Sequence, residues 1–232
     1  MINLSVQWTV SDNLSVSKLN KLQKFEALKT LPNVLEFPEN IKGRWHSDFF
    51  KNDNPIVLEL ACGKGDYTLA MSKIFPNKNF IGIDIKGARI WKGAVIADDQ
   101  LLSNVCFLRI YIEQLTDYFK KEEVSEIWIT FPDPFIKKSK IRKRLTSERF
   151  LNMYNELLPE NGKVHLKTDS ALLYEFTLES IRAKNVNINM MSADIYSGPA
   201  EKNELLKIQT YYERMHLKEG RKIHYVQFQF KA

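Results

Sequence analysis

Apolar residues along the chain fall into two alternating patterns. Short apolar runs at 56–60, 80–85, 105–110, 126–131 and 164–167 have the length and composition of buried strands. Between and after them, 67–75, 90–102, 115–123, 150–158 and 172–183 carry apolar residues at helical spacing. Strands and helices in alternation predict parallel βαβ units with right-handed crossovers and helices on both faces of the sheet. A ligand crevice then belongs at the carboxyl ends of the strands.

The remaining elements complete an α/β fold. A strand is predicted over 186–191 and a helical segment over 203–217, and the run 223–230 alternates as an antiparallel edge strand would. The total is about seven strands, most of them parallel. Thr146 is placed to cap the helix around Phe150, and Asn161-Gly162 to end it. Residues 1–54 read as a helical leader packed on the core, and 55–232 as a single domain. In the leader, Leu19, Leu22, Phe25, Leu28 and Leu31 recur at spacings near three, Lys18, Lys21, Lys24 and Lys29 lie among them, and Pro32 ends the helix. Two readings of that helix stay open, a docked helix with a solvated basic rim and an arm that touches RNA.

Composition narrows the class of protein. The 232 residues, 44% hydrophobic and 27% charged, suit one globular domain, and no repeat suggests a solenoid or coiled coil. No apolar run approaches the ~20 residues of a membrane span, and the start lacks the pattern of a secretory signal, so a cytoplasmic protein without membrane contact is expected. Cys62 and Cys106 fall on strands separated by a third and are expected to stay reduced. The four histidines are isolated, which argues against a metal site and against a Ser-His-acid nucleophile. Thirty-four Lys plus Arg against 28 Asp plus Glu give a net charge of +6 and favour an acidic or phosphate-bearing partner.

Three segments carry chemistry. The first, Leu58-Glu59-Leu60-Ala61-Cys62-Gly63-Lys64-Gly65-Asp66, joins a strand to a helix, where glycines let the backbone approach a ligand. Asp84 ends the next strand, where a carboxylate can accept hydrogen bonds from ribose hydroxyls. A dinucleotide would want a third glycine, which is missing, and Glu59 and Asp66 make the loop acidic. That charge suits S-adenosylmethionine, with its ammonium and sulfonium, better than NAD. Read without a ligand, Asp84 only caps the turn at Lys86.

The second is Phe131-Pro132-Asp133-Pro134-Phe135, followed by a tract in which Lys137, Lys138, Lys140, Arg142, Lys143 and Arg144 are basic. Prolines on both sides hold Asp133 at the strand's carboxyl end, beside an aromatic face. The tract contains no acid and reads as a footprint for nucleic-acid phosphates. A carboxylate and a polycation beside a methyl donor suit methylation of a nucleobase. At guanine N7 the lone pair is free and the product base is positive, so Asp133 orients and stabilises rather than acting as a strong base. The third segment pairs Asp169, at the end of the fifth strand, with Thr210-Tyr211-Tyr212-Glu213 on the late helix. Asp169 serves equally as a cap for the helix that follows.

These residues resemble the bacterial tRNA (guanine-N7)-methyltransferases, over most of the chain from Gly43-Arg44-Trp45 onward. The resemblance rests on 58–65, 80–84, Phe131-Pro132-Asp133-Pro134 with its basic tract, Leu166-Lys167-Thr168-Asp169 and Thr210-Tyr211-Tyr212-Glu213. It implies a Rossmann-like class I methyltransferase fold, S-adenosylmethionine as cofactor, and N7 methylation of a guanine in the tRNA variable loop. Residue by residue it implies cofactor contacts at Glu59, Gly63, Gly65, Asp84 and Asp133, with Asp133 as the active-site acid. Substrate contacts fall at Lys137, Asp169, Thr210, Tyr211, Tyr212 and Glu213, and tRNA backbone contacts at Lys138, Lys140, Arg142, Lys143 and Arg144. The chain departs from the family where Phe135-Ile136 replaces Trp-Pro, Ser139-Lys140 replaces Arg-His, and Tyr111 stands where an Asp often lies near the adenine. Asn104 and residues 109–113 are then candidates for the adenine by position. Two other functions compete: methylation of an exocyclic amine, which usually wants a second proline after Asp133-Pro134, and an RNA-binding module without catalysis. Oligomeric state, monomer or homodimer, is left open.

Overall fold

A computed structural model describes residues 19–198, 200 and 203–231, so Lys18 and the rest of the predicted leader before Leu19 lie outside the described residues. Among the described residues, eight strands form one sheet: β1 (Val34–Glu36), β2 (Ile56–Leu60), β3 (Asn79–Ile83), β4 (Val105–Arg109), β5 (Val124–Thr130), β6 (Lys163–Thr168), β7 (Val186–Ser192) and β8 (His224–Phe230). Their order is β1-β4-β3-β2-β5-β6-β8-β7. All neighbours pair parallel except β8, which runs antiparallel to both β6 and β7. The antiparallel strand therefore sits one place in from the edge that its alternation predicts, with β7 outside it. β1 is an addition to the predicted set, a three-residue strand that extends the sheet beyond β4.

Helices cover the two faces: α1 (Lys21–Leu28), α2 (Asp66–Ile74), α3 (Gly87–Asp99), α4 (Leu115–Tyr118), α5 (Glu148–Leu157), α6 (Ala171–Arg182) and α7 (Tyr211–Lys218). On one face Leu58, Leu60, Ile127, Ile129, Val164 and Leu166 pack against Leu115, Phe150 and Leu173 from α4, α5 and α6. On the other, Val57, Trp128 and Tyr225 meet Tyr67 and Met71 of α2, and Phe107 meets Ile90 and Ala94 of α3. Strands buried on both sides explain the near-continuous apolar runs. The helix α1 lies with Phe25 and Leu28 against Gly87 of α3, while Leu22 of the apolar stripe is exposed. Beyond it, Trp45 enters the main core on a wide turn over Trp45–Phe50.

Two helix starts differ from expectation. Ser147, not Thr146, precedes α5, because the Thr146 hydroxyl is buried 2.7 Å from that of Thr177. The late helical segment divides into a short 3-10 turn at Glu204–Lys207 and α7, with Thr210 outside the helix.

Candidate active site

The glycine loop leaves β2 through three residues with left-handed backbone, Ala61, Gly63 and Gly65, at φ of 58°, 58° and 72°. Open space faces Gly63, whereas a Cβ on Gly65 would lie 2.4 Å from the Phe107 ring. Gly63 thus leaves room for a ligand, and Gly65 leaves room for the core. Asp84, nearly buried at the end of β3, accepts from the Gly63 N–H at 3.0 Å and the Lys86 N–H at 2.9 Å. It therefore braces the loop and caps the next turn at once.

Glu59 lies deeper, 4% exposed, and faces inward from β2. It accepts from the Thr68 N–H at 2.8 Å and the Thr130 hydroxyl at 2.6 Å, and makes a short bond to the Thr68 hydroxyl. Burial raises its carboxyl to about 7 against these bonds, with the Asp66 charge adding to the rise. The same field reaches Cys62: burial pushes its thiol up, and Glu59, Asp84 and Asp66 push it further. Carboxylates around an open glycine turn fit a cationic, ribose-bearing cofactor such as S-adenosylmethionine and oppose a pyrophosphate.

β5, adjacent to β2, delivers the second segment to the same end of the sheet. Phe131 and Phe135 flank Pro132-Asp133-Pro134 at φ of 49° and 41°, a left-handed conformation that bulky side chains disfavour. Hydrogen bonds hold it in place, from the Phe131 N–H to the Lys167 carbonyl at 2.8 Å and from the Phe135 N–H to Asp133 Oδ1 at 3.0 Å. Asp133 is exposed and, among the described residues, makes only that one bond. The tract beyond forms a 3-10 turn, Lys138–Lys143, whose Lys138, Lys140, Arg142 and Lys143 side chains are exposed, as is that of Lys137. Arg144 is placed differently from the rest of the tract. It is 4% exposed, donates to the carbonyls of Pro134 at 2.9 Å and Phe135 at 3.2 Å, and stacks over Phe176. Turned inward, it clamps the Asp133 loop through those two carbonyls.

β6 brings Asp169 beside the same crevice, paired with Arg221 at 2.7 Å and 3.6 Å from His216. It does not cap α6, since Ser170 does so by accepting from the Leu173 N–H. Thr210 and Glu213 are likewise not a surface pair on one helix face. Thr210 caps α7 by accepting the Glu213 N–H at 3.1 Å, the spacing of a capping motif. The Glu213 side chain is fully buried, 2.8 Å from Lys167 Nζ, and accepts from the Tyr196 hydroxyl at 2.8 Å. Tyr211 and Tyr212 remain exposed, and Tyr211 crosses back to the glycine loop. Its N–H donates to Asp66 at 2.9 Å and its ring lies 4.4 Å from Lys64 Nζ.

Among the adenine candidates, Asn104 is excluded by position. It precedes β4 at the opposite end of the sheet, and its amide donates to the Ser72 and Lys78 carbonyls at 3.0 Å each. Arg109 is held by Glu36 and the Ile85 carbonyl, and Glu113 by Arg149. Tyr111 is exposed beside Phe37, at 6.1 Å between ring centres. Residues without an assigned role also enter the site: Thr68 and Thr130 on Glu59, and Lys167 beneath the late segment. The alternation Val164-His165-Leu166-Lys167 already places His165 and Lys167 on one buried face, the signal that marks Lys167 out. Among the described residues no cluster of His, Cys, Asp and Glu could hold a metal, and no helix is long and apolar enough to cross a membrane.

A Rossmann-like sheet with an acidic glycine loop and an exposed strand-end carboxylate defines a methyltransferase of the class I fold. Comparisons agree: residues 53–226 match a family model described as a putative methyltransferase. A tRNA (guanine-N(7)-)-methyltransferase of Porphyromonas gingivalis is 47% identical over 211 residues, 87% of this chain and 86% of that protein. One from Christiangramia forsetii is 45% identical over 220 residues, 91% of this chain and 98% of that protein. The solved structure of the 16S rRNA methyltransferase KamB shares the fold, with a TM-score of 0.63 at 12% identity over 84% of this chain and 96% of that one. The chain belongs to the tRNA (guanine-N7)-methyltransferase family.

Proposed function

We propose that this protein transfers a methyl group from S-adenosylmethionine to N7 of a guanine in the variable loop of tRNA, in the cytoplasm. The observation that carries this reading is Asp133, exposed at the end of β5 between the acidic glycine loop and a turn of exposed lysines. Relatives that cover most of the chain are named for that reaction.

Gly63 and Gly65 shape the turn that receives the cofactor, Asp84 and Glu59 supply the negative field, and Asp84 is placed for the ribose hydroxyls. When bound, S-adenosylmethionine supplies an electrophilic methyl group on a sulfonium, with a neutral thioether as leaving group. Asp133 holds the guanine by its N1 and N2 hydrogens and offsets the positive charge that N7 alkylation leaves on the base. No side chain has to remove a proton before attack. Lys137, Asp169 and the Thr210–Tyr212 stretch, with Tyr211 and Tyr212 exposed, surround the base, and Lys138, Lys140, Arg142 and Lys143 take the backbone phosphates.

The test is incubation with methyl-labelled S-adenosylmethionine and unmodified tRNA transcripts, followed by digestion and mass spectrometry of nucleosides. Label in 7-methylguanosine is expected. Label in an N-methylated amine would move the chemistry to an exocyclic group, and RNA binding with no label would leave a binding module.

A further inference from the structure

Among the described residues Lys167 is the one fully buried lysine. It donates to the Leu206 carbonyl at 2.7 Å and the Ile208 carbonyl at 2.9 Å, and lies 2.8 Å from Glu213 Oε2. The rings of Tyr67 and Phe131 cover it at 5.4 and 6.0 Å. Two carbonyls and one carboxylate thus meet the ammonium, all on the segment from Leu206 to Glu213. The backbone carbonyl of the same residue accepts from Phe131, at the start of the Asp133 loop. One residue therefore ties the stretch that carries the exposed Tyr211 and Tyr212 to the strand end that carries Asp133.

Leu206 lies in the short 3-10 turn and Ile208 between that turn and α7, and among the described residues no ladder or helix bond claims their carbonyls. A buried carbonyl without a donor is costly, so Lys167 fixes the path of this stretch. Burial lowers the lysine and raises the glutamate toward neutrality, and their mutual attraction opposes both shifts. The Asp66 bond to the Tyr211 N–H and the Tyr67 hydroxyl bond to the Leu205 carbonyl hold the stretch against α2. Arg214 donates to the Gln209 carbonyl at 2.8 Å from the exposed side, and the Lys167 ammonium holds the stretch from its buried side.

We propose that Lys167, with Glu213 as its counter-ion, is a positioning residue that sets affinity for the RNA substrate by holding the Leu206–Tyr212 stretch in its binding path. This inference rests on the reading that Thr210–Tyr212 faces the RNA. Steady-state kinetics on Lys167→Met tests it: KM for tRNA rises about tenfold, while KM for S-adenosylmethionine stays within about twofold. If the lone buried Glu213 unfolds that variant, Lys167→Met with Glu213→Leu replaces the pair by apolar groups of similar size, a change that buried pairs often tolerate. The folded double variant keeps the raised KM for tRNA, because the Leu206 and Ile208 carbonyls still lack their donor. A folded double variant with wild-type KM for tRNA overturns the proposal. Tyr212→Ala separates the underlying reading: if it leaves KM for tRNA unchanged, the stretch does not face RNA, whatever Lys167 does.

Discussion

Glu59 is a carboxylate held almost out of water, and its titration has a sign that can be worked out. Its carboxyl sits near 4.5 when unfolded and at about 7 when folded, because burial outweighs the bonds from Thr130 and Thr68. A folded state that binds the proton more tightly gains stability at low pH. The contribution is fully present below pH 4.5 and is lost as pH rises through 7. Over that window the loss is about 3 kcal/mol. Glu59→Gln removes it, so thermal melts from pH 5 to 8.5 should converge or cross, the wild type falling more than the variant. Parallel melting curves would show that Glu59 does not titrate there. Asp133 makes the opposite demand, being exposed with one oxygen uncommitted. Asp133→Asn should lower kcat about 100-fold by removing the charge that faces the developing cation, while tRNA affinity stays within about threefold. A filter-binding titration beside the kinetics checks both halves, and undiminished turnover would take Asp133 out of the chemistry.

At the scale of elements, the basic tract divides into residues that face solvent and one that does not. Sequence made six residues look equivalent, because charge and spacing carry no information about which side chain turns inward. Arg144 is used up by the carbonyls of Pro134 and Phe135, which the left-handed turn at Phe135 leaves pointing toward it. Replacing Lys138, Lys140 and Lys143 by Gln should raise KM for tRNA and reduce the salt slope of binding by about 0.9 for each phosphate that is no longer neutralised. Arg144→Ala should leave the salt slope intact and lower kcat instead, since it frees the Asp133 loop. If both sets of variants change the slope alike, Arg144 reaches the RNA. The same limit explains Thr210 and Glu213. Spacing of three fits a helix face and a cap equally, and only the break before Tyr211 decides between them. By contrast, the glycine loop and Asp84 were legible from order alone, since strand, turn and acid follow each other within one βαβ unit.

The whole molecule depends on a stretch that its own pattern hardly announces. Val34-Leu35-Glu36 is too short for alternation to show, and the wide turn at Trp45–Phe50 has neither strand nor helix period, so residues before Pro55 read as a leader. Yet β1 extends the sheet beside β4, and Trp45 lies fully buried, stacked on Phe119 at 5.2 Å and 10°. The Trp45 indole N–H donates to the Tyr118 carbonyl at 2.9 Å, and Glu123 accepts the backbone N–H of Gly43 at 2.9 Å. These contacts close the end of the main core formed by α4 and the strand ends around it. The segment is thus part of the fold that presents the site rather than an attachment to it. Trp45→Ala should cost about 3–5 kcal/mol, the loss expected of a large buried ring together with its hydrogen bond. Urea unfolding followed by circular dichroism measures it. Phe119 loses its stacking partner in the variant, so the damage reaches the segment leading into β5, and turnover at Asp133 should fall at temperatures where the variant is still mostly folded. A loss below about 1 kcal/mol would mean that the core closes without Trp45, and that the segment is a leader after all.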